Sequence, residues 1–270
     1  MPVILITGAS SGIGAALAAH YAAPGTTLVL NARGLARLEA VAEACRAKGA
    51  TVLCQSLDVR DRAAVGAWLA RVDAAHGLDL VIVNAGINGG NPSGGVETEA
   101  AAFETVDVNL NGALNVALPS VTLMLARGRG QIALISSLAA FAPLPDAPAY
   151  SGTKAALLAH GLALRTKLKS RGVRVNVVTP GYVKTTMGRD YEGWRPQEMS
   201  AEEAARRIAR GLERNDEIVA FPQPLAALAR GAALLPERLR RLGMRDFVFK
   251  VGKNTRDDGR TRDDKNGRGT

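Results

Sequence analysis

Residues 3–14 read VILITGASSGIG, and this stretch decides the fold of the chain. Its first four residues form a short apolar, β-branched run that suits a strand buried on both faces. The glycine turn that follows predicts a helix whose opening amides, from about Ala9 to Ile13, can hold a pyrophosphate. The spacing is G-x-x-x-G-x-G, so Gly8 allows the sharp turn, Gly12 lets a phosphate approach the backbone and Gly14 permits close packing of the helix. The stretch therefore predicts a strand–turn–helix unit that binds a dinucleotide.

The rest of the chain alternates strand-like segments with Ala-rich segments of helical periodicity. Such alternation is typical of a parallel sheet with helices on both faces. With 270 residues and 47% apolar composition, one large domain of this kind can bury a sizeable core. The predicted fold class is therefore α/β, a Rossmann-like, doubly wound, seven-stranded parallel sheet. Strands are predicted at Val3 to Ile6, Thr27 to Leu30, Thr51 to Gln55, Leu80 to Val83, Gln131 to Ile135, Val173 to Val178 and Glu217 to Phe221.

A tyrosine and a lysine, Tyr150 and Lys154, stand four residues apart in a segment predicted to be helical, so their side chains share one face. An ammonium beside a phenol favours the phenolate, and the pair is predicted to act as a tuned general acid or base. Taken alone, the spacing also fits a tyrosine that packs at the core edge beside a solvated lysine. The accompanying motifs favour the chemical interpretation.

Five further motifs accompany the predicted elements. Four of them end predicted strands, and one lies on a long helix. They are Asp58-Val59, Asn84-Ala85-Gly86, Asn109-Leu-Asn-Gly112, Ser136-Ser137 and Pro180-Gly181-Tyr-Val183-Lys-Thr185. Together with the glycine turn and the Tyr-Lys pair, their order resembles that of the short-chain dehydrogenase/reductase family. The resemblance covers some two-thirds of the chain. It implies the strand order 3-2-1-4-5-6-7 and the interconversion of a carbonyl and an alcohol with a nicotinamide cofactor.

The resemblance implies four catalytic residues, Asn109, Ser137, Tyr150 and Lys154. Tyr150 would exchange a proton with the substrate oxygen, and Lys154 would hold the nicotinamide ribose and favour the phenolate. Ser137 would hydrogen-bond the substrate oxygen, a role for which Ser136 is less suitable because it misses the offset of thirteen residues from Tyr150. Asn109 would kink the long helix and anchor a water that relays protons to Lys154.

The cofactor's identity is read from the end of the second strand. Asn31-Ala32-Arg33 offers no carboxylate for a ribose 2′-hydroxyl, whereas Arg33 can pair with a 2′-phosphate. NADP(H) is therefore expected in preference to NAD(H), although Arg33 could also be a solvated residue at a helix start. The residues expected to bind the cofactor are Gly8, Ser10, Ser11, Gly12, Ile13, Gly14, Arg33, Asp58, Val59, Asn84, Ala85, Gly86, Tyr150, Lys154, Pro180, Gly181, Val183 and Thr185.

Within that set, the resemblance implies distinct contacts. Asp58 would meet the adenine amino group, and Asn84 would buttress the central strands. Val183 and Thr185 would hold the nicotinamide carboxamide after the turn at Pro180 and Gly181.

Three segments, 87–95, 138–148 and 182–199, are expected to face the substrate. The middle one is mostly small and apolar, which favours an apolar ketone, aldehyde or alcohol. After the catalytic domain, residues 1–221, the chain departs from the commonest family pattern. Residues 222–252 are predicted to form a helical extension, which either packs on its own domain or on a partner subunit, or covers the pocket or touches a bilayer. Residues 253–270 contain almost no apolar side chains and are predicted to be a disordered tail.

Other classes of partner find less support. The net charge of +9 is scattered and interleaved with acids, so no nucleic-acid partner is expected, while membrane contact through the basic extension stays open. The histidines His20, His76 and His160 lack metal-ligand spacing, so no metal is expected. Two cysteines, no signal peptide and no long apolar run favour a cytoplasmic protein. The resemblance implies a homodimer or homotetramer. The alternative to an enzyme is a cofactor-sensing or scaffold protein without turnover.

Overall fold

The computed structural model describes residues 1–91, 95–185, 191–192, 195–232, 236 and 250–251. Seven strands form the central sheet, and four shorter ones, each of two residues, lie outside it. In chain order they are β1 Val3–Thr7, β2 Thr27–Ala32, β3 Thr51–Ser56, β4 Leu80–Val83, β5 Gly130–Ile135, β6 Val173–Pro180, β7 Val183–Lys184, β8 Tyr191–Glu192, β9 Met199–Ser200, β10 Ile218–Phe221 and β11 Lys250–Val251. The central sheet runs β10-β6-β5-β4-β1-β2-β3, and all its pairings are parallel. Because β10 is the seventh strand of this sheet in chain order, the predicted strand order 3-2-1-4-5-6-7 is confirmed, and so is the fold class.

Helices cover both faces of this sheet. They are α1 Gly12–Tyr21, α2 Leu35–Arg46, α3 Arg62–His76, α4 Glu99–Val106, α5 Gly112–Arg127, α6 Pro148–Leu168, α7 Ala201–Glu213 and α8 Gln223–Ala232. One hydrophobic core joins the sheet to α1, α2 and α7, and the other joins it to α3, α5 and α6. Along β1, Ile4 and Ile6 face the first core, whereas Val3 and Leu5 face the second. This alternation explains why the strand is apolar at every position.

The seven predicted strands are all present. Five extend one or two residues beyond the predicted bounds, β4 matches them, and β10 begins one residue later, at Ile218. β2 continues through Asn31 and Ala32 because these residues pair with Gln55 and Ser56 of β3. The buried Asn31 amide also donates to the carbonyls of Gln55 and Leu57, at 3.0 Å each. Pairing with a neighbouring strand therefore lengthens a strand through polar residues, which a hydrophobic pattern does not reveal.

The predicted C-terminal extension begins as a helix. In α8, Ala226 and Ala229 are buried against Leu138 and Ala220. The prediction that the helical extension includes residues 250–251 is wrong, because this segment pairs as β11 with β8 in an antiparallel ladder. The predicted helical residues 233–235, 237–249 and 252, and the predicted tail 253–270, lie outside the described residues.

Among the described residues, one helical stretch, Glu99–Arg127, has the length and hydropathy of a membrane span. Its most apolar window has a mean hydropathy of 1.3, and half of that window is buried inside the protein. Val116 and Met124 are fully buried in the core that α5 shares with the sheet. The apolar composition of this stretch is therefore accounted for by core packing.

Candidate active site

A cavity of about 330 Å³ opens at the carboxyl ends of the central strands. In an open parallel sheet this edge is where ligands bind, because the strand-to-helix turns converge there. Of the predicted site residues, Gly14 and Asn109 do not line the cavity. Those that do are Gly8, Ser10, Ser11, Gly12, Ile13, Arg33, Asp58, Val59, Asn84, Ala85, Gly86, Ser137, Tyr150, Lys154, Pro180, Gly181, Val183 and Thr185.

The glycine turn forms the floor of this cavity. Gly8 has a positive φ of 66°, and a Cβ at this position would lie 2.8 Å from Cα of Ala85, so only glycine fits the turn. A Cβ on Gly14 would lie 2.7 Å from the Asn84 side-chain nitrogen, which explains how α1 packs so closely on the strands. The Thr185 side chain would be 3.0 Å from a Cβ on Gly12, so residues after β6 close over the turn.

The amides at the start of α1 are the donors that such a turn offers. The first helical bond runs from Ala15 N–H to the Ser11 carbonyl, so the amides of Gly12, Ile13 and Gly14 have no acceptor within the helix. Ala9 was expected among the free donors, but its N–H donates to the Asn31 carbonyl at 2.9 Å. That bond continues the pairing of β1 with β2 and removes Ala9 from the anion-binding set.

Asn84 holds two central strands together at the edge of the cavity. Its side-chain amide donates to the carbonyl of Thr7 at 2.9 Å, and its backbone N–H donates to the Thr7 hydroxyl at 3.0 Å. The same hydroxyl accepts the N–H of Ala85 at 3.1 Å. Asn84 and Thr7 therefore fix the turn after β4 against the glycine turn after β1.

Tyr150, Ser137 and Lys154 meet at one end of the cavity. The Ser137 side chain lies close enough to the Tyr150 phenol to affect its pKa, and both residues line the cavity. Lys154 Nζ lies 5.5 Å from the centroid of the Tyr150 ring and donates to the Ile135 carbonyl at 2.9 Å. Ser136 points elsewhere, since its hydroxyl donates to the Lys154 carbonyl at 2.7 Å. The offset of thirteen residues therefore selected the serine that contacts the tyrosine.

The pKa values of this group follow mainly from burial. Burial raises the pKa of the Tyr150 phenol, and the contact with Ser137 opposes that rise. Burial also lowers the pKa of the Lys154 ammonium to about 8. In this arrangement the loss of solvation outweighs the contact with Ser137, so the balance lies with the protonated phenol. At neutral pH the tyrosine therefore carries its proton.

Asn109 lies behind the cavity in a π-helical turn, Asp107–Asn111, which joins α4 to α5. This irregular turn corresponds to the predicted kink of the long helix. The fully buried Asn109 side chain accepts the Ile87 N–H at 2.7 Å and donates to the Ile87 carbonyl at 2.9 Å. It thereby orders the loop after β4, and Ile87 lines the cavity.

Arginine side chains gather near the end of β2. Arg33 lines the cavity as predicted, and Arg37, four residues later in the first turn of α2, lines it too. The Asp58 carboxylate accepts two hydrogen bonds from Arg60, whose Nε and Nη2 lie 3.0 and 2.6 Å from one carboxylate oxygen. These hydrogen bonds, with a smaller contribution from Arg33, lower the pKa of Asp58. Arg37 follows Arg33 by only four residues, and this proximity in the sequence was the signal that could have identified it.

Two of the predicted substrate segments contribute in ways that differ from expectation. Tyr182, Arg195 and Glu198 line the cavity, and Arg195 donates to Glu198 at 3.0 Å. Within the apolar segment 138–148, Leu138 is instead buried against α8, with Phe141 packed beside it. These side chains pack on the apolar face of α8, where contact removes both surfaces from water. Residues 92–94, 186–190 and 193–194 of the predicted segments lie outside the described residues.

Metal ligation has no support in the described part of the chain. No group of three or more His, Cys, Asp or Glu side chains is placed there to hold a metal ion.

Replacing Lys154 by methionine tests the consequence of its burial for stability. Below about pH 8 the lysine is protonated in both the folded and the unfolded chain, so folding carries the cost of burying the charge. Between about 8 and the ordinary value of 10.5, the unfolded chain binds more protons, so the free energy of unfolding rises with pH. Relative to Lys154→Met, the unmodified protein should gain on the order of 3 kcal/mol across this window.

Urea unfolding of both proteins at several pH values measures this gain. The comparison removes the contributions of Cys45 and Cys54, whose pKa values are also raised, because both proteins contain them. A difference in unfolding free energy that is constant from pH 7 to above pH 10 would contradict the depressed pKa.

Comparison with known proteins identifies the family. The model of the short chain dehydrogenase family matches residues 2–196. An uncharacterized oxidoreductase of Myxococcus xanthus (strain DK1622) is 36% identical over 236 residues, which are 87% of this chain and 93% of that protein. A short-chain dehydrogenase from Sphingobium yanoikuyae, solved in complex with NADPH, has a TM-score of 0.74 at 30% identity, covering 91% of this chain and 96% of that one.

A second solved structure is the bulky-bulky ketone specific alcohol dehydrogenase from Comamonas testosteroni. Its TM-score is 0.73 at 26% identity, and the match covers 91% of this chain and 92% of that one. The family match extends over the glycine turn, the Tyr-Lys pair and the turn after β6. The chain therefore belongs to the short-chain dehydrogenase/reductase family and is an oxidoreductase.

Proposed function

We propose that this protein is an NADP(H)-dependent oxidoreductase that interconverts an apolar ketone or aldehyde and its alcohol. The observation that carries the proposal is that Ser137, Tyr150 and the buried Lys154 line one end of a cavity whose floor is the glycine turn. Such a cluster can hold a carbonyl oxygen and give it a proton. A protein that only sensed the cofactor would have no need of this cluster.

The bound nicotinamide would supply or accept the hydride, and the residues of this chain would manage the proton. In reduction, the substrate oxygen gains charge as the hydride arrives, and fixed donors stabilise that charge. Ser137 would hydrogen-bond the oxygen, and Tyr150 would donate its proton to it. The raised pKa of Tyr150 suits this direction, because the phenol remains protonated at neutral pH. Oxidation would run the same transfer in reverse.

The features of the cavity fit a dinucleotide. The unpaired amides at the start of α1 and the close approach allowed by Gly8 and Gly12 suit the pyrophosphate. Ser10, Ser11, Ile13, Val59, Ala85 and Gly86 would line its path, with Asp58 at the adenine. Pro180, Gly181, Val183 and Thr185 would hold the nicotinamide, and Lys154 its ribose.

Preference for NADP(H) rests on the arginines at the end of β2. Arg33 and Arg37 both line the cavity, and the first residues after the buried part of β2 include no carboxylate. Two guanidinium groups can neutralise a 2′-phosphate with charge-assisted hydrogen bonds, whereas an acidic residue there would repel it. The Sphingobium neighbour bound to NADPH agrees with this choice.

An apolar substrate is supported by Ile87 and Val108, which add apolar surface to the cavity. Arg195 and Glu198 also line the cavity, but they pair with each other. The Comamonas neighbour is specific for bulky-bulky ketones.

Assembly and location form part of the same proposal. Phe103 on α4 and Leu118 on α5 are 63% and 46% exposed, and we place the subunit contact of a homodimer or homotetramer on these helices. The two free thiols, Cys45 and Cys54, suit a reducing compartment and hence the cytoplasm.

Oxidation of NADPH in the presence of steroid, retinoid, acyl and aromatic ketones tests the proposed reaction. Turnover is expected with at least one apolar ketone and not with phosphorylated sugars, and NADH should support it less well. The Tyr150→Phe protein serves as the blank for nonenzymatic oxidation. Tight NADPH binding without turnover on any carbonyl would contradict the proposal and favour a cofactor-sensing protein.

A further inference from the structure

The carboxylate of Glu97 joins two backbone segments that are distant in sequence. Its Oε1 accepts the N–H of Gly90 at 2.8 Å, and its Oε2 accepts the N–H of Ala149 at 2.9 Å. Glu97 is half-buried and lies just before α4. Gly90 belongs to the loop after β4, and Ala149 to the first turn of α6. One side chain therefore ties this loop to the helix that carries Tyr150 and Lys154.

The start of α6 has a particular need for this acceptor. Its N-cap residue, Ala147, has no side chain that can accept a hydrogen bond, and Pro148 has no N–H. The first helical bond runs from Ser151 N–H to the Ala147 carbonyl. The Ala149 N–H is therefore the first donor of the helix and lacks an acceptor within it. Glu97 supplies that acceptor, and the positive end of the helix favours its negative charge.

The other end of the contact is equally close. A Cβ on Gly89 would lie 2.6 Å from Glu97 Oε1 and 3.0 Å from the Thr105 hydroxyl, so the loop backbone lies directly against the carboxylate. The same loop is held at Ile87 by both hydrogen bonds of Asn109. Asn109 and Glu97 thus hold the loop at two points. Of these two side chains, Glu97 is the one that also accepts a hydrogen bond from α6.

We propose that Glu97 is a positioning residue that fixes the start of α6 against the loop after β4 and thereby holds the Tyr150 hydroxyl at Ser137 for proton transfer. The inference rests on the proposed function of Tyr150. Tyr150 directly follows Ala149, so a shift of the first helical turn moves its phenol. A displacement of about 1 Å can reduce a rate by roughly 10²-fold, because proton transfer depends steeply on geometry.

Three substitutions separate the parts of this contact. Glu97→Ala removes both acceptors. Glu97→Gln retains one acceptor oxygen but turns an NH2 group toward the second amide, and Glu97→Asp keeps both oxygens on a side chain that is one methylene shorter. The matched control is Glu99→Gln, which changes the same charge at an exposed position in the first turn of α4.

In Glu97→Ala, kcat should fall by roughly tenfold or more, with smaller losses in Glu97→Asp and Glu97→Gln. The Kd for NADPH should change much less than kcat, because the glycine turn and Arg33 lie on other elements and only Lys154 and the loop after β4 share the affected segments. In a Tyr150→Phe background, Glu97→Ala should have little further effect on kcat. Glu99→Gln should leave kcat unchanged.

Hydrogen exchange of the segment 143–153 gives a readout that needs no substrate. Exchange should be faster in Glu97→Ala and Glu97→Gln than in the unmodified protein, while exchange in α1 stays the same. If Glu97 contributes only to stability, Glu97→Ala should lower the melting temperature and leave kcat unchanged. That result overturns the proposal. Unaltered exchange at the start of α6 also overturns it, whether or not a substrate has been found.

Discussion

Tyr150→Phe is expected to reduce turnover by roughly 10²-fold or more, while the protein still binds NADPH. The substitution removes the hydroxyl near Ser137 and keeps the ring, so the walls of the cavity should be preserved. Among the described residues of the cavity, Tyr182 is the only other phenol, and burial raises its pKa while the charge of Arg195 opposes that rise. Steady-state kinetics together with fluorescence titration of NADPH measures the two effects separately.

The matched control for this variant is Tyr21→Phe, which removes a phenol from the end of α1, outside the cavity. Its turnover should stay near that of the unmodified protein. Near-normal turnover in Tyr150→Phe would show that another group transfers the proton. Loss of both turnover and NADPH binding would indicate a collapsed site rather than a missing proton donor.

Arg33→Ala is expected to weaken NADPH binding by about 1.5 to 3 kcal/mol, or roughly 10- to 150-fold in Kd, because a charge-assisted contact to the 2′-phosphate is lost. NADH lacks that phosphate, so its affinity should change far less. Adding Ala32→Asp should increase the loss for NADPH, since a carboxylate at the end of β2 repels the phosphate. Titration of each variant with both cofactors gives the ratio of the Kd values for NADPH and NADH, which shows whether Arg33 contacts the 2′-phosphate.

Arg174→Ala is the control for a change in net charge, because Arg174 is exposed near the amino end of β6, opposite the cavity. It should alter neither affinity. Arg37→Ala shows whether the second arginine shares the phosphate, in which case each single variant loses less than the double variant. An equal loss for NADPH and NADH in Arg33→Ala would contradict a phosphate contact.

The fold was predictable because its signals are local. The alternation of buried strands and helices, and the glycine turn between β1 and α1, depend on residues close together in the chain. Gly8 and Gly14 could be assigned from spacing, and the structure shows backbone or side-chain atoms where their Cβ atoms would be. The ends of β2 were not predictable, since Asn31 and Ala32 join the strand only by pairing with β3.

The candidate site was predictable where its residues follow strand ends or share a helix. Tyr150 and Lys154 are one helical turn apart, and Ser137 follows β5 at the edge where the cavity opens. Spacing could not show that Leu138 and Phe141 would turn toward α8, because that choice depends on an apolar face almost ninety residues later in the chain. Nor could it show that burial raises the pKa of Tyr150.

By itself, the sequence determined the dinucleotide-binding fold, the family and the identity of the tyrosine, lysine and serine, because short spacings dictate local geometry in helices and turns. Tertiary structure decided the rest of the site. It places Glu97 on an amide 52 residues away and buries Lys154 until its pKa falls to about 8. Contacts across such separations and the loss of solvent around a side chain arise only when the elements pack, so neither is encoded in any local pattern.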